Sequence, residues 1–439
     1  MTTSRPPDPT LAPPSPAGTL AAGAFVVPLI FWIGTDESFI APKLVAASIA
    51  ALIAAVRLGR SGWATLRHSS ATTIDLAVGA WLVLVLVSFL GSVDQSQSWW
   101  GERFNRQGVF AALVYGATFA VARTALVTTT RVLLVLRAAS FAGLLVGLYA
   151  IVQRLGADPI WDDIPADRVF STVGQTNSLG AALALVLPLS VGLALAGGVL
   201  PRIHAVAAVV ELVALGLTLS RGAYLALVIA TLMLGLFVLL HRGWRWQGAA
   251  AVAIAATMAA GIAAVLLPGV DDVSSRVIDR ATHEDEWSTG SIRNHLDLWI
   301  VAGHIIADQP IVGTGPDTYP VVFGDHRDDV LSESSARRLR VFRVESPHNI
   351  VLATAQGSGI PAAFAQLVAL GAAVALAVRR GLGGADAPVI WFALATALVG
   401  GFAASMFITA DFTTTWLTWL LLGAVSGVAA RSALGRPSL

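Results

Sequence analysis

The sequence predicts an all-α, polytopic transmembrane helical bundle of about 12 spans, with one long extracytoplasmic loop that carries amphipathic helices. Hydrophobic residues make up 56% of the chain and charged residues 13%, against about a quarter charged in ordinary soluble domains. The mean hydropathy is +0.73. Apolar runs of roughly 20 residues, enough to cross about 30 Å of hydrocarbon, recur along the 439 residues. The chain has no cysteine, which excludes disulfides and thiolate metal sites.

Twelve apolar runs, each broken from the next by charge, Gly or Pro, are interpreted as membrane helices. They lie near 18–34, 41–57, 73–91, 108–125, 131–153, 176–198, 202–219, 222–240, 247–267, 348–378, 387–407 and 411–430. The run 348–378 is longer than one span needs, so we expect it to contain a bend or an interfacial turn.

Arginines in the short connections predict the orientation of the bundle. They fall in alternate connections, at Arg5, Arg57, Arg60, Arg67, Arg123, Arg131, Arg202, Arg242, Arg245, Arg379, Arg380, Arg431 and Arg436. By the positive-inside rule this side is cytoplasmic, so both termini are expected inside. We therefore expect a multi-pass protein of the bacterial inner (plasma) membrane.

The resulting organisation has five parts. We expect a disordered cytoplasmic tail over 1–17, nine spans over 18–267, an extracytoplasmic subdomain over 268–347, three spans over 348–430, and a cytoplasmic tail over 431–439. The first part is rich in proline and lacks apolar periodicity. The third holds 14 of the 27 acidic residues and is too long for its arginines to enter the positive-inside count.

One amphipathic helix is predicted inside the long loop, in the stretch SIRNHLDLWIVAGHIIADQP. Ser291 is a plausible N-cap and Pro310 a stop. The apolar stripe is predicted to comprise Ile292, Leu296, Trp299, Ala302 and Ile306, and the polar stripe Arg293, Asp297 and His304. We expect this helix to lie over the mouth of the bundle.

Arg221 lies between two apolar runs, in the stretch LTLSRGAYLAL, at the predicted outer interface. It can be read as a snorkelling side chain whose head reaches water or phospholipid. It can also be read as part of an anion site, because further outer segments contribute Arg103, Arg106, Arg168, Arg293, Arg337, Arg338, Arg340 and Arg343. Converging guanidinium groups would form a diphosphate clamp. For Arg293 an i,i+4 ion pair with Asp297 remains an equal alternative.

Two other ionisable residues are singled out by their positions. His348 opens an apolar helix, where the positive end of the helix disfavours protonation and would keep the imidazole able to accept a proton. A capping or packing role fits that position equally well. Glu211 is the one carboxylate found well inside a predicted span, and it can serve a proton or cation relay or hydrogen-bond a neighbouring helix.

Three segments together resemble the O-antigen ligase and O-antigen polymerase superfamily of bacterial membrane glycosyltransferases. LTLSRGAYL resembles its arginine segment, with Arg221 and Leu225. SIRNHLDLWIVAGHIIADQPIVGTGPDTY resembles its extracytoplasmic segment, in which an arginine precedes a tryptophan and a turn with Pro310, Gly313 and Gly315. PHNIVLATAQGSGIP resembles its histidine segment, with His348, Asn349 and Gly359.

Weaker similarities extend the resemblance to roughly residues 90–380. They are WWGERFNRQG and FSTVGQTNSLG, the second with Asn177 near the family's Gly-Asn-x-Asn. One departure is Ala362, where ligases commonly have Gly, Thr or Tyr.

The resemblance implies a GT-C-like enzyme on the periplasmic or outer face that moves a glycan from an undecaprenyl-diphosphate carrier to an acceptor hydroxyl. It implies inversion at the anomeric carbon and no metal or other cofactor. Arg221 and Arg293 would hold the donor diphosphate and His348 would orient or deprotonate the acceptor. The expected partners are the lipid-linked glycan donor, a glycan or lipid acceptor and membrane lipids, with no nucleic acid. The substrate-binding residues expected besides Arg221 and Arg293 are Arg103, Arg106, Arg168, Asn177, Arg343 and Asn349.

Three functions stay open on the sequence. The first is ligase-type transfer of a finished glycan to lipid A core or another cell-surface acceptor. The second is a polymerase that joins lipid-linked repeat units of O-antigen or exopolysaccharide. The third is a polytopic transporter that uses Glu211, although polar residues gather on the outer side rather than at the midplane, where a transporter would place them.

Overall fold

The computed structural model describes residues 15–161, 168–240, 291–341, 344–384, 386–409 and 411–433. These residues form sixteen α-helices and no β-strand, so the predicted all-α class is confirmed. The helices are α1 Pro16–Leu29, α2 Ile40–His68, α3 Thr73–Leu90, α4 Gln95–Trp100, α5 Val109–Ala125, α6 Thr129–Arg154, α7 Thr176–Ala196, α8 Pro201–Leu217, α9 Arg221–Leu240, α10 Ser291–Asp308, α11 Tyr319–Val330, α12 Glu333–Arg340, α13 Ile350–Ser358, α14 Ile360–Leu382, α15 Pro388–Ser405 and α16 Phe412–Ala433.

Eleven of the twelve predicted spans coincide with described helices, and the run 247–267 lies outside the described residues. Seven of the described helices are long and apolar enough to cross a membrane: α2, α3, α6, α7, α14, α15 and α16. Three shorter apolar stretches are Pro16–Leu29, Val109–Ala125 and Arg221–Gly235. This set supports a polytopic helical membrane protein.

Some predicted boundaries differ from the structure. The helix α1 begins at Pro16, inside the predicted tail, because Ser15 caps it with a hydrogen bond from the Gly18 N–H. The run 348–378 is divided into α13 and α14 at Gly359, whose φ of 88° interrupts the helix. The expected turn in that run is therefore present.

The helices α7, α15 and α16 form the centre of the bundle. Two thirds or more of the apolar window of each is buried, against one third for α2, α3 and α14. The outer helices expose large apolar side chains, among them Leu52, Leu76 and Phe364. Such side chains face lipid in a membrane protein without the penalty that water would impose.

Small residues allow the central helices to approach each other closely. A side chain at Gly192 of α7 would meet Ala393 of α15, and one at Gly427 of α16 would meet the backbone of Arg123 in α5. Close backbone approach of this kind is the usual source of helix association in lipid.

The two ends of the bundle differ in chemistry. We call one the arginine end; there Arg123, Arg131 and Arg431 line a common pocket. Arg123 pairs with Asp75 at 2.7 Å, and both side chains are largely buried. We call the opposite end the loop end; it carries the connections 91–108, 155–175, 218–220 and 405–411 together with α10 to α12.

A buried lysine organises part of the loop end. Lys43 Nζ donates to the carbonyl oxygens of Ile30 at 2.9 Å, Phe39 at 3.2 Å and Thr172 at 2.7 Å. Ile30 and Phe39 belong to the connection between α1 and α2, and Thr172 belongs to the connection before α7, so one ammonium group ties these two connections together.

Candidate active site at the loop end

His348 occupies a turn whose backbone geometry is defined on both sides. Its φ is 51°, a left-handed value that a non-glycine residue adopts only where the surroundings hold it. Its N–H donates to Ser346 Oγ at 3.1 Å. Asn349 then caps α13, since its Oδ1 accepts from the Val351 and Leu352 N–H groups at 3.0 and 3.1 Å. The predicted capping function therefore belongs to Asn349, and the His348 side chain is directed elsewhere.

The imidazole of His348 forms part of a hydroxyl network. Its Nδ1 lies 2.9 Å from Thr409 Oγ1, and that oxygen lies 2.9 Å from Ser346 Oγ. The ring centroid is 5.4 Å from that of His295. Burial, and secondarily the neighbouring His295, lower the pKa of His348 to about 4. The imidazole is therefore neutral near pH 7, as the sequence predicted, with burial as the main cause.

Arg221 is the first residue of α9, directly after the short turn 218–220 that separates the two apolar runs. It is partly buried. Arg168 reaches the same turn, because its Nε donates to the Thr218 carbonyl at 3.2 Å. The other side of the Arg168 guanidinium donates to Asn177 Oδ1 at 2.9 Å. Three of the predicted site residues are thus held together by one turn and the start of α7.

The connection 405–411 joins this arginine region to His348. A Cβ at Gly222 would lie 3.1 Å from Phe407 Cβ. The Phe407 carbonyl lies 3.2 Å from His295 Nε2, and its ring centroid is 6.0 Å from that of Trp299. The Trp299 indole in turn donates to the Pro347 carbonyl at 3.0 Å. The start of α9, the middle of α10 and the His348 turn therefore converge on Phe407.

Arg293 forms the i,i+4 ion pair with Asp297 that the sequence offered as its alternative, at 3.1 Å. The Asp297 side chain is fully buried and also accepts from Arg338 at 2.5 Å. Arg338 is oriented by Asn294, whose Oδ1 accepts from its Nε at 2.9 Å. One carboxylate therefore faces two guanidinium groups, and this surface keeps a net positive charge.

The stripes predicted for α10 are partly wrong. Leu296 is exposed and Asp297 is buried, while the buried apolar residues are Leu298, Val301, Ala302 and Ile305. The helix packs on α11 and α13, and Leu339 of α12 joins the same buried cluster, so its buried face is rotated from the one predicted for a helix over the bundle. Asp297 lies inside because two arginines compensate its charge.

The predicted arginines of the 101–108 connection lie in different environments. Arg103 pairs with Asp36 at 3.0 Å in a solvent-exposed contact. Arg106, with a φ of 51°, is partly buried, and its charge acts on Asp317. Arg343 lies outside the described residues.

A cavity next to the His348 turn escaped the sequence analysis. Its volume is about 80 Å³, and its walls include Ser346, Pro347, Thr409, Gln107 and Asp317. No motif indicated it, because its walls come from five separate parts of the chain.

Asp317 supplies the carboxyl group of that cavity. Its Oδ2 accepts from the N–H groups of Glu102 at 2.6 Å and Gln107 at 3.1 Å. Burial raises its pKa to about 6, against the opposing effect of those two hydrogen bonds. The carboxyl group fixes the 101–108 connection against the turn that follows Gly315.

Glu211 belongs to a buried hydrogen-bonded chain between helices. Ser190 Oγ donates to Glu211 Oε1 at 2.9 Å and lies 2.8 Å from Ser140 Oγ, which is 2.9 Å from His204 Nδ1. These contacts join α6, α7 and α8. They match the predicted alternative in which Glu211 binds neighbouring helices.

The chain was compared with known proteins. Residues 205–367 match the family model described as O-antigen ligase. The matched segment contains Arg221, Arg293 and His348, and the match supports the predicted O-antigen ligase superfamily. No curated protein matches the chain.

Proposed function

We propose that this membrane protein of the O-antigen ligase superfamily transfers a glycan from an undecaprenyl-diphosphate carrier to an acceptor hydroxyl, with His348, Arg221 and Arg293 at the reaction centre. Transfer inverts the anomeric carbon and uses no metal in the chemical step. The main support is the His348 turn, whose neutral imidazole contacts Thr409 and which is linked through Trp299 and Phe407 to the start of α9.

The proposed step balances as a single displacement. His348 accepts the proton of the acceptor hydroxyl as that oxygen bonds to the anomeric carbon. The bond from that carbon to the phosphate oxygen breaks on the opposite face, and its electron pair leaves with undecaprenyl diphosphate. Guanidinium groups stabilise the negative charge that grows on this leaving group.

The hydroxyl network supports the role of His348. When Thr409 Oγ1 accepts from Nδ1–H, the lone pair resides on Nε2, which is the atom that can take a proton. A pKa near 4 makes the unliganded imidazole a weak base. A bound diphosphate would raise this pKa, since a nearby negative charge favours the imidazolium form.

The arginine arrangement supports the clamp. Arg221 starts α9, whose first N–H groups also attract an anion. Arg293 adds the excess positive charge of the pair of arginines around Asp297. Arg168 and Asn177 would border the donor on the α7 side. Arg106, Arg103 and Arg343 complete the proposed binding set, and Asn349 contributes by capping the helix after His348.

The loop end is proposed to face the periplasm or cell exterior, with both termini in the cytoplasm of a bacterial inner membrane. The arginine end would then lie inside, as the positive-inside rule requires. Ligase-type transfer is the preferred reaction, and polymerisation of lipid-linked repeat units uses the same centre. Transport is disfavoured, because the Glu211 side chain engages in contacts that hold α6, α7 and α8 together.

The test is turnover of the donor by protein in lipid vesicles. Undecaprenyl-diphosphate-linked glycan is supplied with candidate acceptors in the presence of EDTA, and release of the carrier diphosphate is measured. Wild-type protein should release it, and Arg221→Ala should lose at least 100-fold in rate, about 3 kcal/mol of transition-state stabilisation.

Arg202→Ala is the matched control. Arg202 also lies in the first turn of a helix, α8, which precedes α9. It is exposed and lies at the opposite end of the bundle from Arg221. It should release the carrier at the wild-type rate. Equal rates for Arg221→Ala and Arg202→Ala would refute the clamp.

A further inference from the structure

Three potential metal ligands converge on the surface of the extracytoplasmic helices, away from His348. His304 and Asp308 lie one turn apart near the end of α10, and His326 lies on α11. One donor atom from each residue falls within 4.8 Å of the other two. The buried contacts of Val301, Ile305 and Phe323 fix the two helices against each other.

The hydrogen bonding of His326 defines which nitrogen faces the cluster. Its Nδ1 lies 2.9 Å from the Val322 carbonyl, which can only accept, so Nδ1 carries the hydrogen. In the neutral ring Nε2 then has a lone pair, and it points at Asp308 Oδ2 at 3.2 Å. Two acceptor atoms at that distance need a proton or a metal ion between them. A backbone carbonyl that orients the far nitrogen is the usual outer-shell partner of a metal-bound histidine.

His304 indicates which cation fits. Its Nδ1 lies 3.9 Å from the same Asp308 oxygen, and the two imidazole rings meet nearly edge to face with centroids 5.6 Å apart. A tetrahedral zinc ion with bonds of 2.0–2.2 Å sets its ligand atoms about 3.4 Å apart. A proton can bridge one nitrogen and one oxygen, whereas a metal ion satisfies all three atoms.

We infer that His304, Asp308 and His326 form a binding site for a divalent transition-metal ion, Zn²⁺ in the first instance, that ties α10 to α11. Two imidazoles and one carboxylate favour Zn²⁺ over Ca²⁺ or Mg²⁺, which prefer oxygen ligands. The fourth position is left to water, since the Asp308 and His304 side chains are 56% and 42% exposed.

The site is structural with respect to the proposed transfer. Eleven residues separate His304 from Arg293 on α10, which is about 16 Å along the helix. The ion would therefore stabilise the helix that carries Arg293, His295 and Trp299 without entering the reaction. This consequence rests on the proposed function, whereas the binding of metal does not.

The test measures metal binding directly. The full chain is purified with a tag that contains no histidine, stripped with EDTA and titrated with ZnCl₂ by calorimetry, with bound zinc counted by mass spectrometry. Wild-type protein should bind one Zn²⁺ per chain with a Kd in the micromolar range or below. His304→Ala and His326→Ala should each weaken binding at least tenfold, since each removes a ligand.

Asp329→Asn is the control, because Asp329 is an exposed acid on α11 outside the cluster. It should bind zinc as the wild type does. The two histidine variants change different helices, so misfolding of one leaves the other to decide. No zinc bound by wild-type protein, or undiminished binding by either folded histidine variant, would overturn the site and indicate an imidazolium–carboxylate pair.

A second readout separates this inference from the transfer proposal. Zinc should raise the unfolding temperature of wild-type protein and leave that of the histidine variants unchanged. EDTA-treated wild-type protein should still turn over the donor below its unfolding temperature. Loss of turnover with intact zinc binding would contradict only the proposed function.

Discussion

Thr409 is the residue that orients the proposed base. Its hydroxyl links His348 Nδ1 to Ser346 and belongs to the connection between α15 and α16. Removing it leaves the imidazole Nδ1 without its hydrogen-bond partner. Mutation of the hydrogen-bond partners that orient metal-bound imidazoles typically lowers activity or metal affinity 10- to 100-fold. We expect the loss of Thr409 to lower the transfer rate to a similar extent.

Thr409→Val should therefore lower the transfer rate about tenfold or more, and Thr409→Ser should retain most of it. The pH dependence supplies the diagnostic readout. Activity should fall as pH decreases through the pKa of His348, and the acidic limb of kcat should lie at higher pH than that of kcat/KM because the bound diphosphate raises this pKa. Unaltered rates and limbs in Thr409→Val would remove Thr409 from the account.

Asp297 is predicted to contribute stability as well as charge balance. Asp297→Ala removes the fully buried carboxylate that Arg293 and Arg338, whose side chains are 38% and 20% exposed, share. Breaking such a contact costs about 3 kcal/mol, so the unfolding temperature should fall. The comparison is Glu333→Gln, which breaks the exposed pair with Arg337 and should change stability by less than about 0.5 kcal/mol. Equal melting of the two variants would contradict the burial of Asp297.

At the scale of elements, the contact between α5 and α16 depends on glycine. A Cβ on Gly427 would overlap the backbone of Arg123, while one on Gly371 of α14 meets nothing within 4 Å. Gly427→Ala should destabilise the protein by about 1–3 kcal/mol through overpacking. Gly371→Ala should be neutral or slightly stabilising, since alanine favours the helix. Thermal unfolding in detergent measures both, and a neutral Gly427→Ala would contradict the close packing.

The helices could be predicted because their signal is local. Apolar runs ended by Gly, Pro and arginine located twelve described helices, two of them in the run 348–378, whose length indicated the turn at Gly359. The face of α10 could not be predicted in this way. Its orientation depends on α11, α12 and Arg338, a partner 41 residues beyond Asp297, so helical periodicity alone placed Asp297 in the polar stripe.

The candidate site also divides into residues with a local sequence signal and residues defined by tertiary contacts. Arg221, Arg293 and His348 could be identified from the sequence because they lie in three short segments that resemble a family. Thr409, His295 and Asp317 could not be identified from the sequence, because each acquires its role only from a tertiary contact with a distant segment. The polar residues among apolar ones, such as the TxD triplet around Thr409 and Asp411, offered the one local signal that could have indicated the connection 405–411.

At the scale of the whole molecule, the orientation of the bundle is a prediction that the absence of cysteine makes easy to test. Single cysteines at Ser334, on α12, and at Asp386, in the connection after α14, lie at exposed positions of the two ends. A membrane-impermeant maleimide should label Ser334→Cys in intact spheroplasts and Asp386→Cys only after lysis. The reverse pattern would place the loop end in the cytoplasm and exclude transfer at the outer face.

The arrangement of the molecule explains why such a centre forms at one end. Lys43 fixes the segment before α7, Phe407 brings α9 and α10 together, and the turn before α13 presents His348 to both. The central helices α7, α15 and α16 supply the packed support from which these connections emerge. Donor, acceptor and base can then meet at the membrane surface, where a lipid-linked substrate is confined.

Single-turnover transfer by His348→Ala tests the central claim most directly. Donor binding and the rate of glycan transfer are measured separately in vesicles, beside wild type and Arg202→Ala. We predict unchanged donor affinity and a rate at least 100-fold below wild type, the usual contribution of a general base. Transfer by His348→Ala at the wild-type rate would contradict the assignment of His348 as the base and, with it, the proposed reaction centre.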